Sequence, residues 1–309
     1  MSQHDAAIAP PPASEGNPTI GILWMVASGL CFVALTATVK VVGDAVPPAE
    51  SAFLRYALAL PILIPMIGPL RRAHLSRRQL GLFGARGLAH TLGVITWFYA
   101  MTRIPLAEVT ALNYLNPVYV SIGAALFLGE TMAWRRMLAI AVALAGALVI
   151  LRPGARELDP GHFAMLFTAA SFAAGYLIAK QLSGEVSATV VVGMLQLTVT
   201  IGLLPFALLD WVAPDLATLG LLALAAIFAT LGHYAMTYAF AAAPLTVTQP
   251  VTFLQLVWAV TLGAVFFAER VDGWVILGGL TIVGAISVLT LREARARRLR
   301  SAKGQGARL

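Results

Sequence analysis

Residues 91 to 130 and residues 230 to 269 align without a gap at a constant offset of 139, so this chain carries one pattern twice. Thr91-Leu92-Gly93 answers Thr230-Leu231-Gly232, Tyr99-Ala100 answers Tyr238-Ala239, and Pro105-Leu106 answers Pro244-Leu245. Leu115, Val118, Ala125, Phe127 and Glu130 recur as Leu254, Val257, Ala264, Phe266 and Glu269. The match is 12 identities in 40 positions, and it includes Pro, Gly, Tyr and Glu, which unrelated apolar segments do not share. Any fold for this chain must accommodate two related units, and a duplicated membrane chain is most often a carrier.

Composition identifies the solvent. Hydrophobic residues make up 59% and charged residues 11%, with a mean hydropathy of +0.84, far from the roughly 25% charged residues of soluble domains. Crossing about 30 Å of hydrocarbon at about 1.5 Å per residue needs some 20 apolar residues. Ten runs meet that need, near residues 18–40, 49–69, 79–102, 106–129, 133–151, 161–181, 188–209, 217–241, 246–268 and 273–292. The runs lack the alternation of lipid-facing strands. The expected fold is therefore an all-α integral membrane protein of ten transmembrane helices. Residues 1–17, with Pro10, Pro11, Pro12 and Gly16, read as a disordered cytoplasmic N-terminus without a removed signal peptide. Residues 18–152 and 160–292 form the two repeats, and 293–309 a basic cytoplasmic tail.

Basic residues orient the spans. With both termini cytoplasmic, 14 of the 21 Lys and Arg lie inside, five outside (Lys40, Arg103, Arg152, Arg156, Arg270) and two within spans (Arg55, Arg86). The net charge of +7 reflects this bias and contact with anionic head groups, and it is not a nucleic-acid footprint. An offset of 139 residues covers five spans, an odd number, so the second repeat enters the membrane in the opposite sense. Lys40 and Lys180, and Pro65 and Pro205, extend the correspondence at an offset of 140. Inverted repeats offer two near-equivalent packings that open a central cavity to either side, the physical basis of alternating access.

Tyr99-Ala100-Met101, Pro105-Leu106-Ala107-Glu108, Asn116-Pro117 and Leu126-Phe127-Leu128-Gly129-Glu130, followed by Arg152-Pro153-Gly154, carry a family resemblance. The chain resembles the EamA-type branch of the drug/metabolite transporter superfamily over about residues 18–292. The resemblance implies a ten-helix carrier of the bacterial inner membrane, built of two inverted five-helix repeats and mostly exporting amino acids or other metabolites. The second repeat departs from the pattern: Ala268 stands before Glu269 where Gly129 precedes Glu130, Leu256 replaces Pro117, and Pro250 answers Ala111.

The candidate site follows from polar residues at membrane depth. Thr110, Asn113 and Asn116 are spaced at i, i+3, i+6, and their repeat counterparts are Gln249, Thr252 and Gln255. At about 100° per residue each stripe drifts about 60°, narrow enough to face one cavity. An amide both donates and accepts, so it binds polar substrates without an intramembrane charge; interhelical hydrogen bonding is the competing role. In the third run Arg86, His90, Gly93 and Trp97 share a face, an anion- or aromatic-binding wall, with snorkelling the alternative for Arg86 and for Arg55. Tyr114, Tyr176, Tyr234 and Trp258 are the aromatic cavity candidates, whereas Trp24, Tyr99 and Tyr238 suit either an interfacial belt or the cavity rim. Candidates for proton coupling are Glu108, His90 and His233. Glu130 and Glu269 close their spans and read as anchors.

Pro61, Pro65, Pro117, Pro205 and Pro250 mark kinks or hinges. The fifth and tenth runs carry almost no polar side chains, which suits a peripheral scaffold or a homodimer face. Cys31 is the only cysteine, so the chain forms no internal disulfide. The sequence holds no His-Glu-x-x-His, no Gly-x-Ser-x-Gly and no phosphate-cradling loop, so neither an enzyme nor an ATP-driven pump is expected, and no cofactor. The reading is a secondary carrier exporting a small polar metabolite such as an amino acid. The alternative is an uptake permease for a nucleoside-like or vitamin-like heterocycle, which stacking aromatics also suit.

Overall fold

The computed structural model describes residues 18–128, 134–182, 185–243, 248, 251–252 and 254–306. All regular elements among the described residues are helical. In chain order they are α1 (Pro18–Val42), α2 (Pro48–Leu58), a 3-10 segment (Leu60–Met66), α3 (Ile67–Arg72), α4 (Arg77–Arg103), α5 (Leu106–Asn113) and α6 (Asn116–Leu128). There follow α7 (Trp134–Leu151), α8 (Pro160–Leu182), α9 (Ala188–Leu209), α10 (Leu216–Ala242), α11 (Leu254–Phe267) and α12 (Gly273–Gly306). Six of these are long and apolar enough to cross a membrane: α1, α7, α8, α9, α10, and α12 over Gly273–Arg292. At 27 residues α4 is as long, but it carries Arg77, Arg78, Arg86 and Arg103.

Proline explains why other apolar runs are not single long helices. Pro61 has no N–H to give the Ala57 carbonyl, and its ring crowds that group; α2 stops at Leu58 and the chain continues as the 3-10 segment containing Pro65. Pro117 does the same to Asn113, where α5 ends. The chain crosses this break through 3-10-type bonds, Tyr114 N to Ala111 O at 3.3 Å and Leu115 N to Leu112 O at 3.0 Å. In the later part of the chain residues 251 and 252 are 3-10 and α11 starts at Leu254; Pro250 and residue 253 lie outside the described residues. Helix starts carry the expected caps: Ser76 and Gln79 form a reciprocal box at α4, and Asp215 accepts from Thr218 N at 2.7 Å at α10.

The helices pair by exchange between the two halves. α1 packs along α10 and α4 along α8, while α2 meets α9 and α7 meets α12. Matching contacts fasten the first two pairs. The Ser28 hydroxyl of α1 donates to the Gly232 carbonyl of α10 at 2.9 Å. The Thr168 hydroxyl of α8 donates to the Gly93 carbonyl of α4 at 3.2 Å. Gly93 and Gly232 are the glycines of the repeated Thr-Leu-Gly, and each faces a phenylalanine. A Cβ on Gly93 would lie 2.8 Å from Phe172, and one on Gly232 would lie 3.2 Å from Phe32, so the absent side chain permits the close approach. Where α7 crosses α12, Gly146 and Gly278 meet backbone to backbone: a Cβ on Gly278 would lie 2.5 Å from the Gly146 carbonyl oxygen. In lipid, close packing of this kind replaces the hydrophobic effect as the force between helices.

Candidate functional site

Two departures from α-helix meet in the bundle, the turn at Tyr114 and Leu115 and the 3-10 residues 251 and 252. The Tyr114 hydroxyl, one residue past the end of α5, donates to the Thr252 carbonyl just ahead of α11 at 3.0 Å. Unwound backbone at membrane depth is tolerated where it is buried in protein or lines a polar cavity, and carriers place their substrates at such discontinuities. Asn113 terminates α5 here, half-buried, and its Oδ1 is buried without a hydrogen-bond partner among the described residues. An amide oxygen left open in a low-dielectric interior is an acceptor waiting for a donor.

The remaining stripe residues divide between the two roles open to them. Asn116 Nδ2 donates to the Ala169 carbonyl of α8 at 3.3 Å. Its counterpart Gln255 lies against Gly29 of α1, where a Cβ would come 3.0 Å from the Gln255 side chain and 2.7 Å from the Trp258 ring. Ala169 and Gly29 are themselves 140 residues apart, so the two amides occupy corresponding interhelical seats. Thr110 and Thr252 are half-buried, and Gln249 lies outside the described residues, as does Glu130.

Beside the breaks, α2, α4, α8 and α10 bring a basic, aromatic group together. His90, at the middle of α4, places Nε2 3.1 Å from the Tyr56 hydroxyl and stacks on Phe172 at 4.7 Å between centroids. Trp97 meets the same Phe172 edge-on at 6.3 Å. Gln196 of α9 holds the Tyr56 backbone, its Nε2 donating to the carbonyl at 2.9 Å. His233 of α10 meets Phe32 edge-on at 5.0 Å, and its Nδ1 lies 2.7 Å from the Ala229 carbonyl. Tyr176 is 58% exposed and lies within electrostatic range of Arg86 and Tyr56. Tyr234 is 54% exposed on α10, and Tyr238, one turn on, packs its ring tilted against Trp24 at 5.2 Å between centroids.

Both arginines that the sequence puts within spans are buried in the bundle. Arg86 is 8% exposed and donates to the Val191 carbonyl at 2.8 Å. Arg55 is 7% exposed, with its guanidinium 4.0 Å from the Tyr56 ring centroid. Neither makes an ion pair among the described residues, and Arg55 Nε is buried with no partner. Arg86, Arg55 and His233 lie in electrostatic range of His90.

Glu108 belongs to a different place. It is 3% exposed, and its carboxylate receives both Arg156 nitrogens at 2.9 and 2.8 Å, with His162 Nε2 at 2.6 Å. In the loop between α7 and α8, the Arg156 guanidinium is held above its usual pKa by these bonds to Glu108. At the same end of the bundle Lys40 Nζ meets Glu269 Oε1 at 2.6 Å and donates to the Ile104 carbonyl at 2.9 Å, while Glu269 Oε2 accepts from Leu106 N at 3.0 Å. Arg152 pairs with Asp272. Sequence reading missed Tyr56, Phe172, Gln196, Arg156, His162 and the fully buried Glu50, whose Oε2 accepts from Val212 N at 2.9 Å. One signal was available: Phe172 stands 140 residues after Phe32, in step with Lys40 and Lys180.

Apolar spans joined by exchange, with a polar centre at helix breaks, define an integral membrane protein of the transporter class. The chain belongs to the EamA-like transporter family, whose model matches residues 19–152 and again 159–291. Relatives are named as transporters, not as enzymes. It is 31% identical to a riboflavin transporter of Rhizobium johnstonii over 96% of this chain and 98% of that one. It is 29% identical to the pseudopaline exporter CntI of Pseudomonas aeruginosa, covering 87% and 95% of the two chains. It is 25% identical to an S-adenosylmethionine uptake transporter of Rickettsia bellii, covering 90% and 96%. A solved crystal structure superposes with a TM-score of 0.58 over 91% of this chain and 99% of its own, at 19% identity, which establishes a shared fold.

Proposed function

We propose that this chain is a secondary carrier working by alternating access, made of ten spans in two inverted five-helix repeats, with both termini on the cytoplasmic side of a bacterial inner membrane. The observation that carries this reading is the meeting of two helix breaks, through Tyr114 and Thr252, beside a basic aromatic centre. The exchanged pairing of α1 with α10 and α4 with α8, and the matching Ser28 and Thr168 bonds to glycine carbonyls, support the inversion. The Lys40 end is then external, and opening to the outside breaks Lys40–Glu269 and Arg152–Asp272, both of which link the two halves. Substrate fills the centre, lipid surrounds the bundle, and the outer faces of α7 and α12 serve as scaffold or homodimer contact.

The aromatic group of Tyr56, His90, Trp97, Phe172 and Tyr176 favours a flat heterocyclic cargo, in keeping with relatives named for riboflavin and S-adenosylmethionine, and the name of the second as an uptake transporter supports entry into the cell. Export of a small polar metabolite such as an amino acid is the second reading, favoured by the open acceptor of Asn113 and by the named exporter among the relatives. The purified chain in proteoliposomes, offered labelled riboflavin, adenosine and amino acids with and without a pH gradient, separates the two. Saturable heterocycle flux supports the first, amino-acid flux alone supports the second, and no flux of any compound rejects both. Dependence on the pH gradient would implicate His90, His233 or Glu108 in coupling.

A further inference from the structure

Arg55 is a cation more than nine-tenths buried at membrane depth, with no hydrogen bond and no ion pair among the described residues. A charge removed from water is costly unless it is paired, and within a membrane such a charge marks a function. A carboxylate stands one turn and a half earlier in α2, at Glu50; its Oε2 accepts from Val212 N, its buried Oε1 has no hydrogen-bond partner, and it makes no ion pair with Arg55 among the described residues. Glu108 is held by Arg156 and His162. The guanidinium instead lies over the Tyr56 ring, whose hydroxyl meets His90, and it is in electrostatic range of both His90 and His233. Arg86, also without a carboxylate partner, is in electrostatic range of Tyr56 and spends one N–H on the Val191 carbonyl. Two guanidinium groups and two imidazoles thus lie within electrostatic range of one another around Tyr56, and no carboxylate among the described residues is ion-paired with either guanidinium.

We propose that Arg55, backed by Arg86, is the seat for a negatively charged group on the cargo, a carboxylate or a phosphate, so that the carrier moves an anion whose ring lies among Tyr56, His90 and Phe172. This rests on the carrier reading above and assigns the cargo's charge. Guanidinium binds either oxyanion through paired N–H donors, and the bound anion makes the ion pair that the fold leaves open. The neutral form of the same ring would leave Arg55 unpaired and bind more weakly.

The test measures binding to the purified full-length chain in detergent by tryptophan fluorescence and thermal shift, with probes paired on one ring: riboflavin and riboflavin 5′-phosphate, adenosine and its 5′-monophosphate, nicotinamide and nicotinate. The expected result is that the anionic member of at least one pair binds about 10- to 100-fold more tightly than the neutral one, the range for a charged hydrogen bond. Phosphate or carboxylate is identified by which pair responds. Arg55→Gln then abolishes the preference and Arg55→Lys restores part of it. Neutral members binding as well as anionic ones would overturn the anion seat and leave the carrier reading intact. A preference undiminished in Arg55→Gln would move the seat away from Arg55, and no binding by any probe would reject the heterocycle reading and the anion seat together.

Discussion

Glu269→Gln should release the closure at the Lys40 end. In the structure this carboxylate bridges three elements: it meets Lys40 at the end of α1, accepts from Leu106 N at the start of α5, and follows α11. The Lys40 and Glu269 side chains are 17% and 13% exposed, so the pair is mostly desolvated. An exposed pair would contribute about 0–1 kcal/mol, and losing one partner of a fully buried pair costs about 3–5 kcal/mol. Gln keeps an acceptor for Leu106 N, and Lys40 keeps the Ile104 carbonyl, so the loss should fall between these limits, at about 1.5 kcal/mol. If the contact exists only while this end is closed, the substitution raises the open population about tenfold. The reporter is Thr110→Cys in a Cys31→Ala background, labelled in right-side-out vesicles by a membrane-impermeant thiol reagent. Labelling should be about tenfold faster with Glu269→Gln, and Lys40→Met added to it should produce little further change, because both remove one interaction. An unchanged labelling rate, or fully additive effects, would refute the closure.

Asn113→Ala should lower flux about tenfold at unchanged membrane abundance, the scale of one lost hydrogen bond, measured in proteoliposomes, with normal flux rejecting Asn113 as a substrate contact. Gly278→Leu should destabilise the chain by about 1–3 kcal/mol through overpacking at the α7–α12 crossing, read as a lower melting temperature in detergent; Gly284→Leu, where a Cβ would meet nothing within 4 Å, should be near neutral. Asp215 has its pKa held below the usual carboxylate range by the Thr218 N–H, so its capping contribution is present at neutral pH and is lost as pH falls through the lowered value. Hydrogen exchange at the first turn of α10 should therefore rise only below about pH 4, and Asp215→Asn should flatten that response.

How much was legible in advance depends on whether a feature is local in the chain. Apolar run length and duplication are one-dimensional, so membrane residence and the pairing of counterparts such as Gly93 with Gly232 could be read directly. The proline positions were equally visible, but run length alone could not tell a kinked span from one divided by a 3-10 segment at Pro61 or by an open turn at Tyr114. That choice depends on whether neighbouring helices satisfy the freed backbone, as the Tyr114–Thr252 bond shows. Side-chain partnership is less legible still. Glu108 resembles a lone intramembrane acid until Arg156 and His162, about 50 residues on, fold over it. Arg55 and Arg86 looked equally able to snorkel until burial turned both inward. Charge in a membrane is interpretable only with its counter-charge, and pairing is decided by tertiary structure. Glu108, the sequence's acid for coupling, is engaged, whereas Arg55, one of its candidates for snorkelling, is buried with an open donor.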